Sequence, residues 1–304
     1  MTIQDLPHDL DVITPNEPVG ALPLVRKISP SDLIDALRKG FDDFLAMPTH
    51  AVFLGLMYVL AGMAIGRAAF GYDIFPLLYP AAAGFALIGP FAAVGLYELS
   101  RRREMGRDTS LSHVFDVRHS PSFKSILGLG ALLLVMFVIW IATANGLYRA
   151  QYGYGSHPTI GTMLSDILFT DAGRAFLLKG NLIGLAFAAV ALVVSSISFP
   201  LLLDRNVGIA SAVTTSLAVA VKNPLTVMAW GLIVAALMVL GSLPLFIGLA
   251  VVVPVLGHAT WHLYRKAVVP DTSPRPEFKP APKLPRYGAQ FPASLFVPSS
   301  LKPE

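Results

Sequence analysis

SILGLGALLLVMFVIWIATANGLY, residues 125–148, contains no Asp, Glu, Lys, Arg or His along its whole length. A bilayer's hydrocarbon core, about 30 Å thick, is crossed by about 20 helical residues. The stretch therefore reads as a transmembrane helix, and the rest of the chain agrees with it. The 304 residues are 54% hydrophobic and only 14% charged, with a mean hydropathy of +0.63. A soluble domain carries about 25% charged residues. This composition excludes an ordinary water-soluble globule, a disordered chain and a collagen-like one. There is no cysteine, which removes a disulfide framework, a thiolate metal site and a cysteine nucleophile together.

Working outward from 125–148, five further apolar runs have spanning length. The six are 49–70, 76–97, 125–148, 181–203, 223–242 and 244–264. Among all Asp, Glu, Lys and Arg residues only Arg67 falls inside them. The basic residues of the loops then set an orientation. Nineteen Lys and Arg lie on the side of the termini and the 98–124 loop; Arg67, Arg149, Arg174 and Lys179 lie on the other. Basic loops stay in the cytoplasm, so both termini are expected there. The formal net charge of +4 and pI near 9.3 follow from the same loops and do not point to nucleic acid. Residues 1–18 are acidic and lack an apolar core, unlike a secretory signal.

The chain divides into a flexible segment 1–30, a membrane domain 31–268 and a proline-rich tail 269–304. Proline removes the backbone donor that helices and central strands need, so the tail is expected to be disordered. Segment 29–48, SPSDLIDALRKGFDDFLAMP, repeats apolar residues at helical spacing: Leu33, Ile34, Leu37, Phe41, Phe44 and Leu45. Asp35, Arg38, Lys39, Asp42 and Asp43 fill the other face. Ser29 or Ser31 caps the start and Pro48 stops it. Such a helix lies on the membrane surface or packs under the bundle. Residues 207–221 repeat this role before Pro224.

The odd spans open near Pro48, Pro121 and Pro224, and seven residues after each stands Gly55, Gly128 or Gly231. The even spans contain Pro90, Pro200 and Pro254. The fold class is therefore expected to be an all-α membrane protein of six transmembrane helices. They form three two-helix hairpin repeats with cytoplasmic amphipathic helices. Each repeat has two spans, so the repeats are parallel, unlike the inverted repeats of many transporters. Thr170-Asp171 reads as a helix cap that starts the fourth span's helix well before Asn181, and 159–169 as a short helix ahead of it.

Few polar residues approach the bilayer. Glu98 precedes Arg101–Arg103 and is placed to pair with them. Asp204 and Arg205 close the fourth span. His258 and His262 lie one turn apart on one helix face, the spacing of a metal or haem ligand pair, and equally of interfacial residues beside Trp261 and Tyr264. Glu98, Asp204, Arg205, His258 and His262 form the candidate polar cluster at the cytoplasmic rim. Ionisable groups at such depth mark proton or ion paths. There is no phosphate-binding glycine motif and no HExxH, so no cofactor, no metal and no catalytic residue is assigned.

Three stretches carry a family resemblance: GPFAAVGLYELSRRRE (89–104), FPLLLDRNVGIASAVTTSLAVAVKNP (199–224) and VPVLGHATWHLYRKAV (253–268). They resemble an uncharacterised family of bacterial integral membrane proteins, some of whose members are labelled as a subunit of cytochrome c oxidase. The resemblance implies a non-catalytic accessory or assembly role near a respiratory complex, with the lipid bilayer as first partner. It supplies no catalytic residues. The competing expectation is a small-solute or ion transporter or channel using the rim cluster.

Overall fold

The computed structural model describes residues 22–47, 77–153, 160–244 and 246–270. Among these, the regular elements are helices; the single β feature is an isolated antiparallel bridge between Val25 and Val268. The order is α1 (Pro30–Ala46), α2 (Leu78–Ala92), α3 (Val94–Glu104), a 3-10 helix (Leu111–His119) and α4 (Phe123–Tyr152). Then come α5 (Ile160–Phe169), α6 (Asp171–Ser195), α7 (Ser198–Asp204), α8 (Gly208–Lys222), α9 (Pro224–Ser242) and α10 (Leu249–Ala267).

Helix α1 starts where its sequence directs. Ser29 and Asp32 form a reciprocal capping box, with Pro30 in the first turn. Its buried face is not the expected one. Leu33, Ala36, Gly40, Asp43 and Phe44 are buried against α10, whereas Ile34, Phe41 and Leu45 are 68%, 46% and 57% exposed. A Cβ at Gly40 would stand 2.6 Å from the backbone nitrogen of Ala259. Small residues let the two backbones approach, and this closeness buries Asp43 although sequence periodicity puts it on the polar face.

Three helical stretches are long and apolar enough to cross a membrane: Phe123–Tyr152, Asp171–Asp204 and Pro224–Ser242. They coincide with the expected spans 125–148, 181–203 and 223–242. Their flanks expose large apolar side chains, among them Leu134, Val138, Leu182, Leu185, Leu232 and Val239, each more than half exposed. Continuous apolar exposure of this kind belongs in lipid. The expected span 49–70 lies outside the described residues.

The other two expected spans are interrupted. Residues 76–97 are split into α2 and α3 at Ala93, three residues after Pro90, which lies inside α2. Residues 244–264 become helical only at Leu249, after a turn in which Phe246 has a positive φ of 67°. A similar break at Ser196–Ile197 precedes Pro200. There α8 supplies the missing partners: Ser216 donates to the Val193 carbonyl at 2.6 Å and accepts from the Ile197 N–H at 3.3 Å.

Away from the rim, α2 lies on α4. Trp140 Nε1 donates to the Pro80 carbonyl at 2.8 Å, and Gly130 makes room for the Phe91 ring. Helix α6 begins at the expected cap, Thr170 Oγ1 accepting from the Gly173 N–H at 2.9 Å. Its 25 residues extend about 38 Å, longer than the hydrocarbon core.

Residues 22–29 form an extended strap. Arg26 N–H donates to Ala267 O at 2.7 Å, and Val269 N–H to Leu24 O at 2.8 Å. Asn223 clamps it from the other side, accepting from Ile28 N–H at 2.9 Å and donating to Arg26 O at 3.0 Å. Thr226 adds a bond to Ile28 O at 3.1 Å.

Candidate functional site: a buried polar rim

The charged end of α3, Ser100 to Glu104, meets α1 at Asp43 and the end of α10 at Trp261 and Arg265. Asp43 is the centre of this meeting and is 3% exposed. Its Oδ2 accepts from Ser100 Oγ at 2.6 Å and from His262 Nε2 at 2.9 Å. Its Oδ1 pairs with Arg103. Ser100 Oγ also lies 2.7 Å from His258 Nδ1. These partners fix the protons. A carboxylate only accepts, so the single hydroxyl proton of Ser100 goes to Asp43, and His258 must donate from Nδ1. By the same argument His262 carries a proton on Nε2.

Burial alone would raise the pKa of Asp43, but the hydrogen bonds from His262 and Ser100, with the charges of the two histidines, hold it below the ordinary 3.8. Asp43 is thus kept as a carboxylate although nearly sealed from water. Further along α1, Lys266 bridges Asp32 and Asp35 at 3.1 and 2.8 Å. Its own pKa is raised, first by the bond to Asp35.

A second constellation forms around Asp204. Its Oδ2 accepts from Tyr264 Oη at 2.7 Å and from Arg265 Nη1 at 3.4 Å, and Arg205 Nε stands at 3.9 Å. Arg265 also bonds Glu104, at 3.1 Å through Nε and 3.0 Å through Nη2. Glu104 in turn accepts from Trp261 Nε1 at 3.0 Å. Arg265 therefore links α3 to α7 across α10. Arg205 Nη2 donates to Val269 O, which joins α7 to the chain just beyond α10.

Glu98 is fully buried and stays on its own helix. Arg101 grips it with two bonds, 2.7 and 2.9 Å, and Arg102 approaches at 3.7 Å. The five candidates therefore occupy three neighbourhoods. His258 and His262 converge on Asp43, Asp204 and Arg205 meet at α7, and Glu98 is held by its arginines. Among the described residues no group of three or more His, Cys, Asp or Glu is placed to hold a metal ion. The Nδ1 of His258 and the Nε2 of His262 are occupied by Ser100 and Asp43.

Sequence reasoning missed Asp43, Ser100, Arg103, Glu104 and Arg265 as members of the rim. The available signal was the series Ala36, Gly40, Asp43: two small residues one turn apart mark a close helix contact, and Asp43 continues their ridge.

The helices, their exposed apolar flanks and the polar rim together define an all-helical integral membrane protein. Residues 78–204, from α2 through α7, match the family model described as "Predicted integral membrane protein (DUF2189)", the uncharacterised membrane family whose stretches the sequence resembles. No curated protein and no solved structure matches the chain.

Proposed function

We propose that the protein is a non-catalytic, multi-pass component of the bacterial inner membrane. In this reading it acts as an accessory or assembly partner of a larger membrane complex of the respiratory, cytochrome c oxidase, type. Six spans in three parallel hairpin units, with both termini cytoplasmic, make up the proposed arrangement.

The observation that carries this reading is the platform ahead of α6. Helix α5 exposes Leu164, Leu168 and Phe169 by 54%, 50% and 76%. It is nevertheless held firmly. Tyr152 Oη donates to Asp166 Oδ2 at 2.7 Å, and Thr170 Oγ1 donates to the Asp166 carbonyl at 2.9 Å. Gly173 packs on the Asp166 backbone so closely that a Cβ would stand 2.2 Å from its carbonyl oxygen. A fixed apolar face at the projecting end of an overlong helix suits a protein partner. The rim supports the same reading, since its charged groups are bonded to one another and brace α1, α3, α7 and α10.

Native pull-down from mild detergent, followed by mass spectrometry, tests the proposal. Oxidase subunits should co-purify with the wild type and be lost from a Leu164→Ser/Leu168→Ser variant that still melts normally. Wild-type protein that emerges alone, with normal oxidase levels in a deletion strain, removes the reading.

One observation favours transport as the second reading: Asp43, Ser100, His258 and His262 form a continuous hydrogen-bonded chain from the partly exposed edge at His262 to the fully buried His258. Such chains serve as proton relays. Proton uptake by proteoliposomes that vanishes in His258→Gln would establish it over the accessory role.

A further inference from the structure

The strap brings basic side chains to the lipid-facing edge of the bundle. Arg26 and Lys27 are exposed on it, and Lys222 is exposed at the end of α8. Lys222 Nζ donates to Val25 O at 2.9 Å, and the neighbouring Asn223 holds Arg26 O, so Lys222 stands beside the stretch of backbone that carries Arg26 and Lys27. Among the described residues none of the three forms an ion pair. The acids at the start of α1, Asp32 and Asp35, are taken by Lys266 and Lys39. The patch therefore keeps its positive charge.

Around these cations the surface is apolar. Leu24, Val221 and Leu225 are 72%, 72% and 73% exposed. Leu225 opens α9, whose outward face continues through Met228 and Leu232, 57% and 62% exposed. On the other side Ile34, Phe41 and Leu45 extend the exposed apolar surface along α1. Positive charge at one level, with apolar side chains running from it down a membrane-crossing helix, matches an anionic phospholipid: phosphate at the head, acyl chain along the helix.

We propose that Arg26, Lys27 and Lys222 bind the headgroup of an anionic phospholipid whose acyl chain lies against Val221, Leu225 and Met228. The inference needs α9 to cross the bilayer and is independent of the partner reading above. Bound lipid would tie the strap to α9 through a non-covalent ligand as well as through Asn223.

Native mass spectrometry of the full-length protein in detergent tests it, with dioleoyl phosphatidylglycerol, dioleoyl phosphatidylcholine and inorganic phosphate titrated separately. Phosphatidylglycerol should be retained well above phosphatidylcholine. Each cation lost should weaken retention about fivefold, so Arg26→Gln/Lys27→Gln/Lys222→Gln should lose on the order of 100-fold. Because Lys222 also bonds the strap, Arg26→Gln/Lys27→Gln is the companion variant. Among the described residues the side chains of Arg26 and Lys27 make no bond that holds the strap, and their loss should cost on the order of 20-fold with an unchanged melting temperature. Lys179→Gln, far from the patch, should change nothing. Equal retention of the two lipids, or retention unaffected by the double variant, overturns the proposal. So does displacement of phosphatidylglycerol by inorganic phosphate at equal concentration, which would leave an anion site without a lipid.

Discussion

Gly40 of α1 lies against Ala259 of α10 so closely that a single added Cβ would stand 2.6 Å from a backbone nitrogen and 2.7 Å from the Ala259 Cβ. Neither neighbour is a flexible side-chain end that can swing away. The Asp43 neighbourhood of the rim depends on this approach, because Asp43 sits one turn further along and reaches His262 only while α1 stays down.

Gly40→Val is therefore expected to lift α1 from α10 at a cost of about 1–3 kcal/mol. A lower melting temperature in detergent and faster proteolysis within α1 are the readouts. Gly89, with open space around it, is the control; Gly89→Ala with an equal loss would show that the effect is not specific to the contact.

Asp43→Asn keeps the side-chain shape but replaces one accepting oxygen by a donor, facing Arg103 and His262. A loss of about 1–3 kcal/mol is expected. The pH dependence has a definite sign. The folded-state pKa of Asp43 is below its ordinary 3.8, so its contribution is fully present above that value and is lost as pH falls through the lowered pKa. Melting temperature against pH should fall at the acid end more steeply in the wild type than in Asp43→Asn. Parallel curves would refute the assignment.

Tyr264 and Arg265 both donate to Asp204 Oδ2, so their effects should not add. Tyr264→Phe alone is expected to cost about 1–3 kcal/mol, since it strips a bond from a buried carboxylate. A double-mutant cycle with Arg265→Gln should show a coupling of at least about 0.5 kcal/mol. Strict additivity would mean that the two act separately.

Much of this architecture was legible before any coordinates. The start of α1 could be read at Ser29 or Ser31, that of α6 from Thr170, and three spans from uninterrupted apolar runs. These features are local, and the residues that cause them are adjacent in sequence. What escaped was non-local. Periodicity in α1 offered one apolar face, and only the packing against Ala259 turns the side with Ala36 and Gly40 inward. Asp43 was misplaced with it. Glu98 was legible as a partner of its own arginines, one turn away. The join between Glu104 and Arg265 was not, because it depends on how the break at Ala93 redirects α3.

Asn223→Ala should remove three hydrogen bonds, two that hold the strap at residues 26–28 and one to the carbonyl of Val219. The expected loss is about 2 kcal/mol, taking about 1 kcal/mol for each strap bond. Hydrogen exchange is the sharper measurement. The amides of Arg26, Ile28 and Val269 should lose protection together, while those of α4 keep theirs. Protection unchanged at Ile28 would show that the bridge to Val268 holds the strap by itself.

The bridge between Val25 and Val268 has a consequence for biogenesis. Its two halves stand near opposite ends of the described chain, so the ribosome makes one of them long before the other exists. The early strap lacks its partners Ala267 and Val269 until α10 has emerged, and the buried carboxylate of Asp43 has no histidine donors until then either. Closure of the strap and of the Asp43 site is therefore a late event, coupled to completion of α10. A nascent chain stalled before α10 leaves α1 as an amphipathic helix on the membrane surface, open to proteases and quality-control factors.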